Sequence, residues 1–571
     1  MELFARRALA ALAFGVASLT QWGAPAAARS DDALPWIPVT DARLAGAATD
    51  DGWLMYRRTY DSNAYAPFDQ IDAANVAQLR PAFTYKTGLP QGHEAAPVVN
   101  GRYLFVTTPL DRVAALDATN GRVLWTYAPD MPRVALRTVC CDVVNRGVAV
   151  YGNAVFLERI DDHVVALEAT TGRVLWDREL APAGTGYAMT SAPLIVAGQV
   201  VVGVSAGEYG ARGFIEALDP LTGEQRWRRY TIPAAGEPGS ESWPAAALPR
   251  GGGGAWLTGS YDPETATLFW GVGNPGPWRS DVRTGTNLYT DSVLALDPRT
   301  GGIKWSFQFT PHDEWDYDGV NENVLADITR GGRRVHALLH ADRNGNFVVL
   351  DRTNGRFIYS EPLVKTTAVL GYDRTGKAVV DPAARAAAGR PGSVCPSAIG
   401  GTNWWPPTYD AQTGLFYVPL AHMCMTVTQT DLIEVNGAPY LGEDLKLFNE
   451  PQHPDIGEFL ALDPATGKRR WSFSTATPWC GGAVSTAGGL VFSGTADQRM
   501  IAFDAASGRV AWSYPLSSGV AGVPVTYRVD GKQYVAVFAG WGGGVALFGG
   551  PAADITKDVP RGGELYVFAL P

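Results

Sequence analysis

The stretch ALDATNGRVLW, residues 115–125, decides the architecture, because the phrase returns along the chain with its acid and its closing aromatic always eight positions apart. The pairs are Asp117/Trp125, Glu168/Trp176, Asp219/Trp227, Asp297/Trp305, Asp351/Tyr359, Asp463/Trp471 and Asp504/Trp512. Each copy reads as an apolar strand ending at the acid, a tight glycine turn, and a second strand ending in the aromatic. One such unit cannot bury both of its faces. Units recurring at roughly 40 to 80 residues predict an all-β chain, a β-propeller of four-stranded antiparallel blades with the repeat tryptophans docked between blades. The interval from Asp351 to Asp463 is unusually long, which leaves room for a degenerate further copy near Tyr409–Asp410.

Composition agrees with short strands and tight turns: 65 Gly, 39 Pro, 18 Trp and 21 Phe in 571 residues. With 46% hydrophobic residues, 18% charged residues and a net charge of -10, disordered, collagenous and nucleic-acid-coating classes are excluded. Residues 1–28 read as a secretory signal, with Arg6 and Arg7 before an apolar stretch and cleavage after Ala28; an N-terminal anchor is the weaker alternative. The mature chain, 29–571, has no later run of about 18 apolar residues, so no stable membrane insertion is expected. Export to the periplasm would place its five cysteines in an oxidising compartment. None lies in a CxxCH, so no covalent haem is expected, and nicotinamide, phosphate-loop and zinc signatures are missing as well.

Function must come from residues that break the repeat. Adjacent Cys140 and Cys141 can close an eight-membered disulfide ring with a flat sulfur face, or each can pair among Cys395, Cys424 and Cys480. Together with the repeat phrase, Cys140-Cys141-Asp142, GNPGPW (273–278), PHDEWDYDGVN (311–321), GGTNWWPPTYD (400–410) and GWGGG (540–544) resemble the quinoprotein methanol/ethanol dehydrogenases over nearly the whole mature chain. The resemblance implies a single eight-bladed propeller at 29–571 that holds pyrroloquinoline quinone (PQQ) and a metal ion. It places a Cys140–Cys141 disulfide on one face of the quinone and Trp256, 18 positions before Asn274, on the other. It also implies a Cys395–Cys424 disulfide, whose loop would add about 3 kcal/mol of stability.

For the metal the resemblance points to Glu208, Asn274 and Asp316, all oxygen donors suited to a hard cation, with Asp316 also the catalytic base. Asp318 adds a carboxylate where calcium enzymes of the family carry a small residue, and alternation along an extended segment would turn it to the same face as Asp316. Three carboxylates balance a trivalent ion, whereas around a divalent ion the surplus charge would raise an acid's pKa, so a lanthanide is favoured and Ca2+ is the alternative. Glu94, Arg146, Thr190 and the Ser205-Ala206-Gly207 run match quinone-binding positions, as do Asn403, Trp404 and Trp541. Arg343 matches the basic residue beside the reactive carbonyl, where its fixed donor fork suits a developing oxyanion. Two positions depart from the pattern: Cys480, expected to be a buried inert thiol, and Gly254, where relatives often carry threonine.

The implied reaction oxidises a small primary alcohol to an aldehyde: Asp316 takes the hydroxyl proton, hydride passes to the quinone, and electrons leave for a separate soluble cytochrome c. A homodimer is compatible with this reading. Its rivals are a calcium-dependent quinoprotein acting on a larger alcohol or a sugar, and a non-enzymatic envelope scaffold built on the same repeat.

Overall fold

In the computed structural model the repeats become sheets whose strands follow chain order. Residues 34–435 and 437–571 are described; the expected signal at 1–28 lies outside them. Pro35–Pro571 form one compact unit. The first sheet runs through Val98–Asn100, Tyr103–Thr108, Arg112–Asp117 and Val123–Tyr127, each strand antiparallel to the next. Six further sheets repeat that order, and the last joins the two ends of the unit: Arg80–Lys86 pairs antiparallel with Glu564–Ala569, which continues into Lys532–Ala539 and Val525–Val529. Among the described residues there are eight sheets of at least four strands, and no helix is long and apolar enough to cross a membrane.

The repeat phrase is a lock between neighbouring sheets. The acid folds the turn by accepting amides two residues on, as when Asp117 Oδ1 takes Thr119 N at 3.0 Å. The turn glycine has φ near +73° at Gly172, and a Cβ there would stand 2.5 Å from the Trp125 ring, so the position requires glycine twice over. The indole completes the contact, Trp125 Nε1 donating to Ala169 O at 2.9 Å, Trp176 to Pro220 O at 3.0 Å and Trp471 to Ala505 O at 2.9 Å. Tyr359, the one non-tryptophan in the series, reaches Pro464 O at 2.6 Å through its hydroxyl. The ring closes when Tyr527 OH donates to Ala118 O at 2.7 Å.

That Tyr359 contact corrects the expected copy at Tyr409–Asp410. The unit ending at Asp463–Trp471 is the direct neighbour of the one ending at Tyr359, with no sheet between them. Asp410 does fold a turn, accepting Gln412 N at 2.8 Å, but it joins the first two strands of that same sheet, Thr408–Asp410 and Leu415–Ala421. The long interval is filled by the hairpin Val369–Tyr372/Ala378–Val380 and a three-stranded sheet of Gly392–Val394, Met423–Gln429 and Glu443–Asn449. Cys424, within the Met423–Gln429 strand, is bonded to Cys395, which directly follows Gly392–Val394.

Candidate active site

Antiparallel order fixes where function can collect, because the end of a second strand lies beside the start of the first. Glu94, Arg146, Thr190, Trp256, Asp316, Asp318, Asn403 and Trp404 all stand shortly before the first strand of a sheet. Ser205–Glu208, Asn274, Arg343 and Trp541 all follow a second strand. Both classes therefore meet at one end of the sheets, and the glycine turns occupy the other.

At the centre Arg343, 3% exposed, donates from Nη2 to Asp316 Oδ2 at 3.0 Å and from Nη1 to Asp318 Oδ2. The two acids reach one guanidinium by a route different from simple strand alternation. Asp313 accepts Trp315 N at 3.0 Å and Tyr317 N at 3.1 Å, and Asp316 turns into the left-handed region at φ +62°. Asp318 also accepts Asn274 N at 2.6 Å and Trp256 Nε1 at 3.2 Å, which ties two other expected site residues to it. Gly207 lets the Glu208 segment close in, since a Cβ there would stand 2.3 Å from Asn274 Oδ1.

Burial raises all three acids. Glu208 is pushed up to about 7, by desolvation first and by Asp318 second. Asp316 rises well above the carboxylate range for the same first reason, with Asp318 and Glu208 adding and Arg343 opposing. Asp318 rises through burial, again against Arg343. Among the described residues no three His, Cys, Asp or Glu side chains close to metal-holding distance, and Arg343 is the counter-cation of the two aspartates. The residues nonetheless fit a hard cation: Asp316 Oδ1 is buried without a hydrogen-bond partner, and the neighbouring donors are all oxygens.

A second group surrounds Arg146, which pairs with Glu94 at 2.7 Å and donates to Thr190 Oγ1 at 2.7 Å. Its guanidinium lies 5.0 Å from the Trp256 ring centre and 5.8 Å from that of Trp404. Burial lifts Glu94 to about 7 despite the arginine. Cys140 and Cys141 are bonded to each other, and Cys141 Cβ and the Trp404 ring both lie beside Gly544. Trp404 Nε1 and Trp541 Nε1 are buried donors without partners, which with Arg146 and Thr190 suits an anionic, oxygen-rich cofactor. Two expected residues are occupied locally: Asn403 donates to Ile399 O at 2.8 Å, and Ser205 Oγ donates to Ala188 O at 3.0 Å. Gly254 is confined, a Cβ being 3.1 Å from Ala206 N, and Cys480 is a buried thiol whose pKa burial pushes well up.

Sequence reasoning passed over Asp313 and His93, and their signal was only adjacency to stronger motifs. His93 Nδ1 donates to Gln91 O at 2.8 Å, Nε2 lies 2.8 Å from Thr87 Oγ1, and burial lowers its pKa to about 4. Its folded pKa thus lies below the unfolded value of 6.5, so the unfolded chain binds the proton first as pH falls. His93 should cost the fold nothing above pH 6.5 and about 3 kcal/mol by pH 4. Unfolding midpoints of wild type and His93→Gln should accordingly diverge across that window, with wild type falling more steeply; parallel curves would contradict the assignment.

Comparison with known proteins agrees with this geometry. A family model described as the glucose/ethanol/alcohol dehydrogenase β-propeller domain with PQQ matches residues 53–375 and 473–535. The quinoprotein alcohol dehydrogenase PedH of Pseudomonas putida is 42% identical over 536 residues, 89% of each chain. The lanthanide-dependent methanol dehydrogenase of Methylacidiphilum fumariolicum is 37% identical over 563 residues, 91% of this chain and 92% of that one. A solved europium-containing methanol dehydrogenase superposes with a TM-score of 0.90 at 36% identity, covering 93% of this chain and 100% of the other. With the family model spanning more than half of its residues and such relatives along most of its length, the chain belongs to the PQQ-dependent alcohol dehydrogenases.

Proposed function

We propose that this protein is a periplasmic dehydrogenase that oxidises small primary alcohols of the methanol/ethanol class to aldehydes, using PQQ and a lanthanide(III) ion and passing electrons to a separate soluble cytochrome c. The observation that carries the reading is Asp318 beside Asp316 on one buried arginine, with Glu208 as a third acid within electrostatic reach. Three carboxylates suit a trivalent ion better than a divalent one. The names of relatives that use a lanthanide support the same choice. Residues 1–28 and the two disulfides favour an exported protein.

Glu208, Asn274, Asp316 and Asp318 would hold the ion, and Glu94, Arg146, Thr190, Trp256, Trp404 and Trp541 would hold the quinone. When bound, the quinone and its ion supply the acceptor for the hydride that leaves the alcohol carbon. Arg343 holds Asp316 through Oδ2, so Oδ1, which no protein group occupies, is the oxygen that would serve both the ion and the hydroxyl proton. Asp316 is itself 3% exposed, and Trp315, Trp405 and Trp541 are fully buried in one apolar cluster with Trp404, against which Trp256 packs.

The test is dye-linked oxidation of methanol, ethanol and butanol by quinone-free protein reconstituted with PQQ and either calcium or a lanthanide. Lanthanum or cerium is expected to give at least about tenfold more activity than calcium. Equal or better activity with calcium would overturn the metal assignment alone, and inactivity with both ions on every alcohol would return the sugar-oxidising and scaffold readings.

A further inference from the structure

Asp142, next to the Cys140–Cys141 disulfide, has a place in the site that the proposed reaction does not use. Cys141 and Asp142 are consecutive left-handed residues at φ +68° and +80°, a conformation that costs a non-glycine residue of order 1 kcal/mol and persists only when surrounding contacts impose it. Cys141 is held by its bond to Cys140, and the Asp142 carboxylate supplies the contacts at the next residue. Oδ1 accepts the amide of Val143 at 2.9 Å. Oδ2 accepts two amides from opposite ends of the unit, Gly92 N at 2.9 Å and Gly543 N at 3.3 Å.

The two glycine segments cross with nothing between them. A Cβ on Gly92 would stand 2.5 Å from Gly543 N, one on Gly542 would stand 2.4 Å from Gly92 N, and His93 N donates to Gly540 O at 3.0 Å. Each segment leads into the cofactor side of the site: Gly92 lies two residues before Glu94, and Gly543 two residues after Trp541. A Cβ on Gly543 would also stand 2.4 Å from Glu94 Oε1, so a small shift of either segment moves that carboxylate.

We infer that Asp142 is a positioning residue for the cofactor, a carboxylate clasp that sets the disulfide against the Glu94 and Trp541 segments by accepting from Gly92 and Gly543. It touches none of the reacting atoms. It acts by holding three chain segments at fixed separation, and the inference rests on the PQQ reading only for what occupies the space they enclose.

The test uses full-length, quinone-free wild type, Asp142→Ala and Asp142→Asn. PQQ affinity is read from quenching of tryptophan fluorescence, the rate at which dithiothreitol opens Cys140–Cys141 is followed without quinone, and thermal melts report global stability. At a temperature well below either melt, Asp142→Ala is expected to bind PQQ about 30-fold more weakly and to be reduced several-fold faster, while the lost hydrogen bonds lower its melting temperature by only a few degrees. Asp142→Asn, which keeps one acceptor oxygen, should lie between the two. Affinity and reduction rate unchanged in Asp142→Ala would overturn the inference. Should Asp142→Ala fail to fold, Asp142→Asn decides, an unchanged affinity and rate again overturning it. A wild type that does not bind PQQ would sink the functional reading, whereas the dithiothreitol rates still judge the clasp by themselves.

Discussion

Asp316→Asn lowers kcat for alcohol oxidation by about 10² to 10⁴-fold, the range that a positioned general base contributes. PQQ affinity stays near wild type, because Asp316 pairs with Arg343 and not with the Arg146 group that faces the expected quinone. The substitution preserves shape and leaves Arg343 paired with Asp318, so no buried guanidinium is stranded. Reconstituted variant and wild type are compared by steady-state kinetics and by PQQ fluorescence titration. A kcat within threefold of wild type would remove Asp316 from the proton transfer and move the search to Glu208.

Asp318→Asn has the second large effect, and it falls on metal choice. The attraction of one carboxylate for a trivalent ion is half as large again as for a divalent ion at the same distance, so removing its charge weakens lanthanide binding more than calcium binding. Terbium affinity, read by luminescence sensitised through the nearby Trp256, should fall about 100-fold, with a smaller loss for calcium. Lanthanum-supported activity should fall in step while calcium-supported activity holds or rises. Some destabilisation accompanies the change, because Asp318 also accepts Asn274 N and Trp256 Nε1. A variant that still prefers lanthanum over calcium would dispose of the charge argument.

The repeat was readable because its physics is local: an acid that folds a turn, a glycine with positive φ and an aromatic eight positions from the acid. The tryptophans were rightly assigned to docking, although the partner carbonyl one residue beyond the next acid needed coordinates. Tyr409–Asp410 misled because its Asp-x-x-Thr-Gly turn is chemically the same, and only pairing order reveals which two strands it joins. The inserted strands at 369–372, 378–380, 392–394, 423–429 and 443–449 carry no repeat phrase and so left only an interval in the sequence. In the site, resemblance named the residues that meet at Arg343 and Arg146. It could not supply the left-handed turn at Asp316 or the Asp142 bonds, which depend on segments remote in sequence from Asp142.

The pairing of Arg80–Lys86 with Glu564–Ala569 has a consequence for biogenesis. Arg80–Lys86 leaves the ribosome long before Glu564–Ala569, so a nascent chain cannot complete that sheet of the propeller however far its middle has progressed. Glu94 and Trp541 are likewise early and late products that come together through the same seam. A cofactor held between them could therefore be enclosed only after the chain beyond Trp541 has emerged, however early the Glu94 segment is made.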